Sequence, residues 1–214
     1  MEHLPIFINI KQKPTLVVGG GDIALRKINL LLKAKAKVDC LSPLFCEDIN
    51  TLFKDGYIKL IKKSFEQADI KDYSVIIAAT DDSLVNSLIS SIAHDKRIPV
   101  NVVDSPALSS FIIPSIVDRS PVIIAVSSAG KAPVLARIIR AKLETVIPSS
   151  YGILAEIAGE YRQRVKDRFS QIKDRRAFWE TAFSGVIAEK VFSGRTSEAK
   201  DDIEKQLNDS VEME

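Results

Sequence analysis

The stretch that most narrows what this chain can become is Thr15 to Ala24, TLVVGGGDIA. An apolar run meets three glycines and then a helical pattern through Leu25, Ile28, Leu31 and Leu32, the order of a strand, a tight turn and an amphipathic helix. Gly19 would make the turn, Gly21 would let the backbone approach a pyrophosphate, and Ala24 stands where helix and strand pack closely. The spacing G-x-G-x-x-A is the dinucleotide fingerprint in its alanine form. The helix behind it, opened by Asp22 and Ile23, would aim unpaired N–H groups and its positive dipole end at phosphates, so no basic side chain is needed there.

The strand-and-helix alternation then continues. Lys37 to Leu41 reads as a second strand ending at Ser42-Pro43, Glu47 to Lys54 as a helix, and Tyr57 to Lys62 as a strand. Ser74 to Ala79 is a continuous apolar strand, as expected where both sheet faces are covered. Ser83 to His94 is a helix capped by Asp81 or Asp82, and Ile98 to Val103 completes the set. Pro5 to Ile10 is expected as an edge strand. The fold class is therefore α/β, with a doubly wound parallel sheet. Two β-rich runs follow, Phe111 to Val117 and Val122 to Val126, joined by a turn at Asp118-Arg119-Ser120-Pro121. Helices are expected at Val134 to Val146, Tyr151 to Arg168 and Arg175 to Phe192, with Trp179, Phe178 and Phe183 as a core stripe on the last. Thr196 to Glu214 is acidic and poor in large apolar residues, and reads as a frayed tail or linker.

In such a sheet, ligands bind outside the carboxyl ends of the strands where strand order reverses. Gly19 to Asp22, Thr80-Asp81-Asp82 and Asn101 to Ser105 fall at such ends and should converge on one crevice. A carboxylate at the tip of the second strand would hold an adenosine ribose, but the tip is Leu41-Ser42-Pro43-Leu44 and Asp39 lies inside the strand. Ser42 could bond the ribose hydroxyl, and no arginine waits for a 2′-phosphate, which favours NAD over NADP. Asp104 leaves a buried strand into a rigid Ser-Pro turn. It could take a proton as hydride departs, or simply cap the next turn. Ser128 could likewise cap a helix, or that helix's N-terminal amides could hold a carboxylate.

A net charge of +2 over 214 residues gives no global case for nucleic acid. The basic residues after the ribbon, Arg119 and Lys131 among them, would suit an acidic small molecule. His3 and His94 are far apart and no Cys-His spacing resembles a metal site. MEHLPIFINI lacks the build of a secretory signal and no run approaches the ~20 apolar residues of a membrane span. A cytoplasmic protein with Cys40 and Cys46 reduced is expected, without nucleic-acid or membrane partners.

These motifs together resemble a known family. HLPIF, VVGGGDIA with Arg26-Lys27, AATDD with Asn86, NVVD with Ser105-Pro106, FIIPSIVDRSPVIIAVSSAG and PVLAR are similar, in order and spacing, to the amino-terminal module of siroheme synthase. That module is the precorrin-2 dehydrogenase and sirohydrochlorin ferrochelatase unit, and the likeness runs from His3 to about Phe183. It implies a Rossmann-like domain over residues 1–110, a β-ribbon and helix dimerisation segment over 111–147, a small helical domain over 148–195 and the acidic tail or linker over 196–214. It also implies NAD as hydride acceptor bound by Gly19, Gly21, Asp22, Ile23, Ser42, Pro43, Leu44 and Thr80. Asp104 would carry acid-base work, Ser128, Arg119 and Lys131 would contact the tetrapyrrole precorrin-2, and Fe²⁺ would be inserted into the sirohydrochlorin formed. A homodimer is implied. Because fused relatives continue into a methyltransferase module and this chain stops at Glu214, it is expected to be either a free-standing or a truncated form, with precorrin-2 supplied by another protein, a separate uroporphyrinogen-III methyltransferase. The contrasting expectation is a regulatory protein that binds NAD or tetrapyrrole without turnover.

Overall fold

The computed structural model describes residues 2–209. The chain divides into two compact units, one of residues up to 113 together with 129–131, the other of residues 114–128 together with those from 132 onward.

The first unit is built on five parallel strands, β1 (Pro14–Val18), β2 (Lys37–Leu41), β3 (Ile58–Ile61), β4 (Val75–Ala78) and β5 (Val100–Val102), in the order β3-β2-β1-β4-β5. Helices α1 (Asp22–Lys33), α2 (Glu47–Lys54) and α3 (Ser83–Asp95) make three of the four crossovers, and the one from β3 to β4 carries only the 3₁₀ turn Gln67–Asp69. The run VIIA of β4 is buried at every position, because one apolar layer covers each face of the sheet. On one face Val17 and Ile77 pack with Ala24, Ile28 and Leu31 of α1. On the other, Leu16, Val18 and Ile76 pack with Ile89, Ile92 and Ala93 of α3. Since β1 is followed outward by β2 and β3 on one side and β4 and β5 on the other, strand order reverses between β1 and β4.

Pro5 to Ile10, expected as an edge strand, is irregular instead. Lys13 N–H donates to Ile10 O at 3.0 Å and Gln12 adopts φ 59°, a turn that detaches the lead-in from β1. Leu4, Ile6 and Phe7 are exposed, and only Ile10 of that stretch is buried.

The second unit opens with an antiparallel ribbon, β6 (Ser115–Arg119) and β7 (Val122–Val126), followed by α4 (Pro133–Val146), α5 (Ser150–Arg168), α6 (Ile172–Ser184), α7 (Val186–Phe192) and α8 (Thr196–Asp209). α5 runs so close to the ribbon's turn that a Cβ on Gly152 would sit 2.5 Å from Arg119 O. The single helix expected from Arg175 to Phe192 is two. Gly185 stands extended between α6 and α7, with φ −114° and ψ −156°. On α6 Trp179 stacks on Phe183 and meets Phe178 edge-on, but only Phe178 and Trp179 pack against the core, Phe183 is exposed, and α6 is not the last helix.

The expected frayed tail is corrected as well. Residues 196–209 form α8, which buries Ala199, Ile203 and Leu207 against Leu154 and Ile157 of α5 and Ile187 and Val191 of α7. Three small or apolar residues at i, i+4 and i+8 make a stripe narrow enough to be hidden by an acidic composition. The remaining positions, 210–214, lie outside the described residues. Ile203 is 1% exposed, so Ile203→Ala is expected to cost about 2–4 kcal/mol of unfolding free energy in urea titration. A tail that merely frays would leave the midpoint unchanged.

Candidate functional site

The glycine turn sits where the strand order reverses. Gly19 adopts φ +135°, and a Cβ there would lie 2.2 Å from Ala79 O, so β1 and β4 can come together at this end only around a glycine. Gly19 N–H donates to Leu41 O at 2.9 Å and the Cys40 thiol lies 3.3 Å from Gly19 O, which ties the turn to β2. Burial and the neighbouring Cys46 push the Cys40 thiol up to about 12, so it stays protonated and can donate to that carbonyl. Gly21 is the N-cap of α1, and no side chain caps the helix, leaving its first N–H groups directed outward.

A cleft of about 780 Å³ opens above this end of the sheet. Gly19, Gly20, Gly21, Asp22 and Ile23 form its floor, Ser42 to Cys46 one wall, and Thr80 to Asp82 with Val85 another, while Ser64 and Phe65 close the far side. The cofactor candidates Gly19, Gly21, Asp22, Ile23, Ser42, Pro43, Leu44 and Thr80 are thus all brought to one cavity. The Thr80 wall is braced. Thr80 Oγ1 bonds Asn86 Oδ1 at 2.9 Å, Asn86 Nδ2 donates to Thr80 O at 2.9 Å, and Asp82 caps α3 through the N–H groups of Leu84 and Val85. Asp39 is engaged elsewhere, accepting from the Tyr73 hydroxyl at 2.9 Å. Burial first, and that carboxylate second, push the Tyr73 hydroxyl well above its ordinary range.

Not all the polar strand ends enter the cleft. Asn101 is buried and donates to Phe111 O at 3.0 Å, and Asp104 is not among the lining residues. Asp104 is exposed one strand over, past β5, in a left-handed conformation with φ 57°. It caps no helix, since the following 3₁₀ turn Pro106–Leu108 has Ser105 as its N-cap and no side-chain cap bond. Two neighbours within the first unit are informative. An added Cβ on Gly130 would lie 3.8 Å from Pro106, which sets the segment 129–131 against the turn after Asp104. Lys131 in that segment reaches Glu2 at 3.0 Å, both largely exposed.

Lys27 of α1 is the other neighbour. Burial holds its ammonium below the ordinary lysine range and Arg26 pushes the same way, while Asp104 opposes them. The folded protein therefore binds this proton less tightly than the unfolded chain. The resulting penalty is present at neutral pH and is relieved as pH rises toward the ordinary value of 10.5. Lys27→Met is expected to raise the unfolding free energy read from urea titration at pH 7 by less than about 1 kcal/mol, because the site keeps partial access to water. The gain should shrink when the titration is repeated near pH 10.

Ser128 and Arg119 belong to the second unit. Ser128 Oγ accepts from Ala132 N–H at 2.9 Å, just before the N-cap of α4, which is Ala132 and not Ser128. The Arg119 guanidinium donates to Ile147 O at 2.8 Å and Glu144 O at 3.3 Å, closing the carboxyl end of α4. Through these bonds Arg119 holds the ribbon to the helix. Sequence reasoning missed Gly20, whose added Cβ would meet Leu44 O at 1.8 Å, although three successive glycines were a signal that the middle one is also needed.

Three family models match the chain in succession: putative NAD(P)-binding over residues 6–115, sirohaem biosynthesis protein central over 119–145, and sirohaem synthase dimerisation region over 150–207. The siroheme synthase of Ruthia magnifica subsp. Calyptogena magnifica is 58% identical over 214 residues, which is all of this chain and 45% of that protein. The siroheme synthase of Nitrosomonas europaea is 48% identical over 214 residues, again 45% of its length. The chain thus spans about half the length of the curated relatives it matches. Among solved structures, SirC, a precorrin-2 dehydrogenase, superposes with a TM-score of 0.76 at 22% identity, covering 97% of this chain and all of SirC, and so shares the fold. With the glycine turn at the strand reversal and these three regions following one another, the chain belongs to the putative NAD(P)-binding family in its sirohaem synthase arrangement.

Proposed function

We propose that this chain oxidises precorrin-2 to sirohydrochlorin with NAD and then serves as the site of Fe²⁺ insertion to give siroheme. The observation that carries the reading is an open cleft over the glycine turn together with the exposed carboxylate of Asp104 after the neighbouring strand β5. Gly19 to Asp22 and the uncapped start of α1 suit a pyrophosphate, Ser42 an adenosine ribose, and Asp104 lies beyond Thr80. NAD, when bound, supplies the hydride acceptor. Oxidation removes two electrons and two protons' worth of hydrogen as one hydride and one proton, and Asp104 is the group that accepts the proton. An exposed carboxylate is suited to that task and can also strip pyrrole protons during metal insertion. Ser128 and Lys131 are assigned to the substrate's peripheral carboxylates, which an ammonium and hydroxyl recognise by charge-assisted hydrogen bonds.

The description of residues 150–207 as a dimerisation region supports a homodimer. So does α4, which leaves Val134, Leu135, Ile138 and Ile139 exposed. Among the described residues no helix is long and apolar enough to cross a membrane, and Cys40 and Cys46 are free thiols, in keeping with the cytoplasm. Precorrin-2 would come from a uroporphyrinogen-III methyltransferase.

Anaerobic incubation with precorrin-2 and NAD tests the reading. The precorrin-2 spectrum should give way to that of sirohydrochlorin with stoichiometric NADH, and Fe²⁺ added afterwards should convert it to siroheme faster than in a protein-free control. NAD binding without any turnover would make the chain a regulatory binder instead.

A further inference from the structure

One side-chain hydroxyl ties both ends of the turn bearing Asp104. β5 is an edge strand, and the N–H groups on its outer side find serine side chains in place of another strand: Val100 N–H donates to Ser110 Oγ at 2.8 Å and Val102 N–H to Ser109 Oγ at 2.9 Å. After Val102 the chain turns through Val103 and Asp104, closed by Ser105 N–H on Val102 O at 3.1 Å, runs through the turn Pro106–Leu108, and returns at Ser109. Ser109 Oγ lies 2.9 Å from Ser105 O and 3.2 Å from Val102 O, so its one proton goes to one of these carbonyls while it accepts from Val102. One side-chain oxygen thereby spans the start of the loop, the residue directly after Asp104, and the loop's end. Ser90 of α3 fixes the neighbouring Leu108 O at 2.6 Å, so the frame around Ser109 is itself anchored to the domain. Asp104, with φ 57°, depends on such a frame, because a left-handed residue in an untied loop relaxes toward other conformations.

We propose that Ser109 is a positioning residue for Asp104, fixing the turn so that the carboxylate is presented at one place and one angle. The proposal rests on the reading of Asp104 as the proton acceptor. Loss of the hydroxyl leaves Val102 N–H without its partner and the turn free to shift, and a misplacement of about 1 Å at a reacting group costs up to ~100-fold in rate.

The test uses the whole chain, anaerobic precorrin-2 and NAD, with kcat, KM for NAD and the pH profile of kcat measured for Ser109→Ala, Ser109→Thr and Asp104→Asn. Ser109→Ala is expected to lower kcat about 10- to 100-fold and displace the acidic limb of the pH profile, with KM for NAD unchanged. Ser109→Thr, which keeps the hydroxyl, should recover most of the rate. If Ser109→Ala does not bind NAD, Ser109→Cys, similar in size but a poor hydrogen-bonding partner, carries the same expectation. Parent-like kcat and pH profile in the alanine or cysteine variant, with Asp104→Asn inactive, overturn the role of Ser109 alone. Parent-like turnover in Asp104→Asn overturns the reading of Asp104 and the proposal with it.

Discussion

Asp104→Asn is expected to lower the rate of precorrin-2 oxidation about 10²- to 10⁴-fold, the range over which a positioned proton acceptor contributes, while the affinity for NAD stays within about threefold of the parent. Asparagine is the informative replacement. It matches aspartate in shape and tolerates the left-handed φ of 57°, so the turn from Val102 to Ser105 survives and only the ability to take a proton is lost. Alanine would add backbone strain at that φ and confuse the two effects. Because Asp104 is exposed and does not line the 780 Å³ cleft, neither the melting temperature nor cofactor affinity should follow the rate. Spectroscopic turnover assays with isothermal calorimetry for NAD separate these quantities. A variant that still oxidises precorrin-2 at the parent rate would show that the proton leaves by another route.

The five strands, their three crossover helices and the position of the glycine turn were legible in the sequence because local signals agreed. Apolar runs such as SVIIAA could be satisfied only between two covered faces, and Asp82 stood where a cap was needed. What failed did so where pairing or packing decides. Leu4, Ile6 and Phe7 look like strand residues, yet no periodicity reveals that Gln12 turns the chain away before β1 begins. α8 was hidden because its buried stripe of Ala199, Ile203 and Leu207 is carried by an acidic, polar helix whose average composition resembles a linker. The candidate site divides in the same way. The candidate cofactor residues all line the cleft, those of the turn legible from its glycine spacing and the rest from the resemblance and the strand tip. The Arg119 guanidinium is held by the carbonyls of Glu144 and Ile147, an engagement that a sequence cannot show.

The three glycines of the turn separate folding from binding, and two substitutions make the distinction measurable. A Cβ at Gly20 would lie 1.8 Å from Leu44 O and 2.8 Å from Ser42 Oγ, and the Gly20 carbonyl also receives Cys46 N–H at 2.8 Å. Gly20→Ala therefore has to push the whole segment between β2 and α2 away, and is expected to cost about 3 kcal/mol of stability, in the range of overpacked sites. Gly21 is the opposite case. Nothing lies within 4 Å of its added Cβ, which opens onto the cleft at the start of α1. Gly21→Leu should fold nearly as well as the parent, losing about 1 kcal/mol at most for a poorer N-cap. Its side chain, however, occupies the place where a pyrophosphate must approach the α1 amides, and desolvates those amides without satisfying them. NAD affinity should fall about 100-fold or more, equivalent to losing at least two charge-assisted hydrogen bonds. Calorimetric titration alongside thermal melts reads both quantities. Parent-like NAD affinity in Gly21→Leu would mean that no phosphate lies over the turn, and the cleft would then have to be assigned to a different ligand.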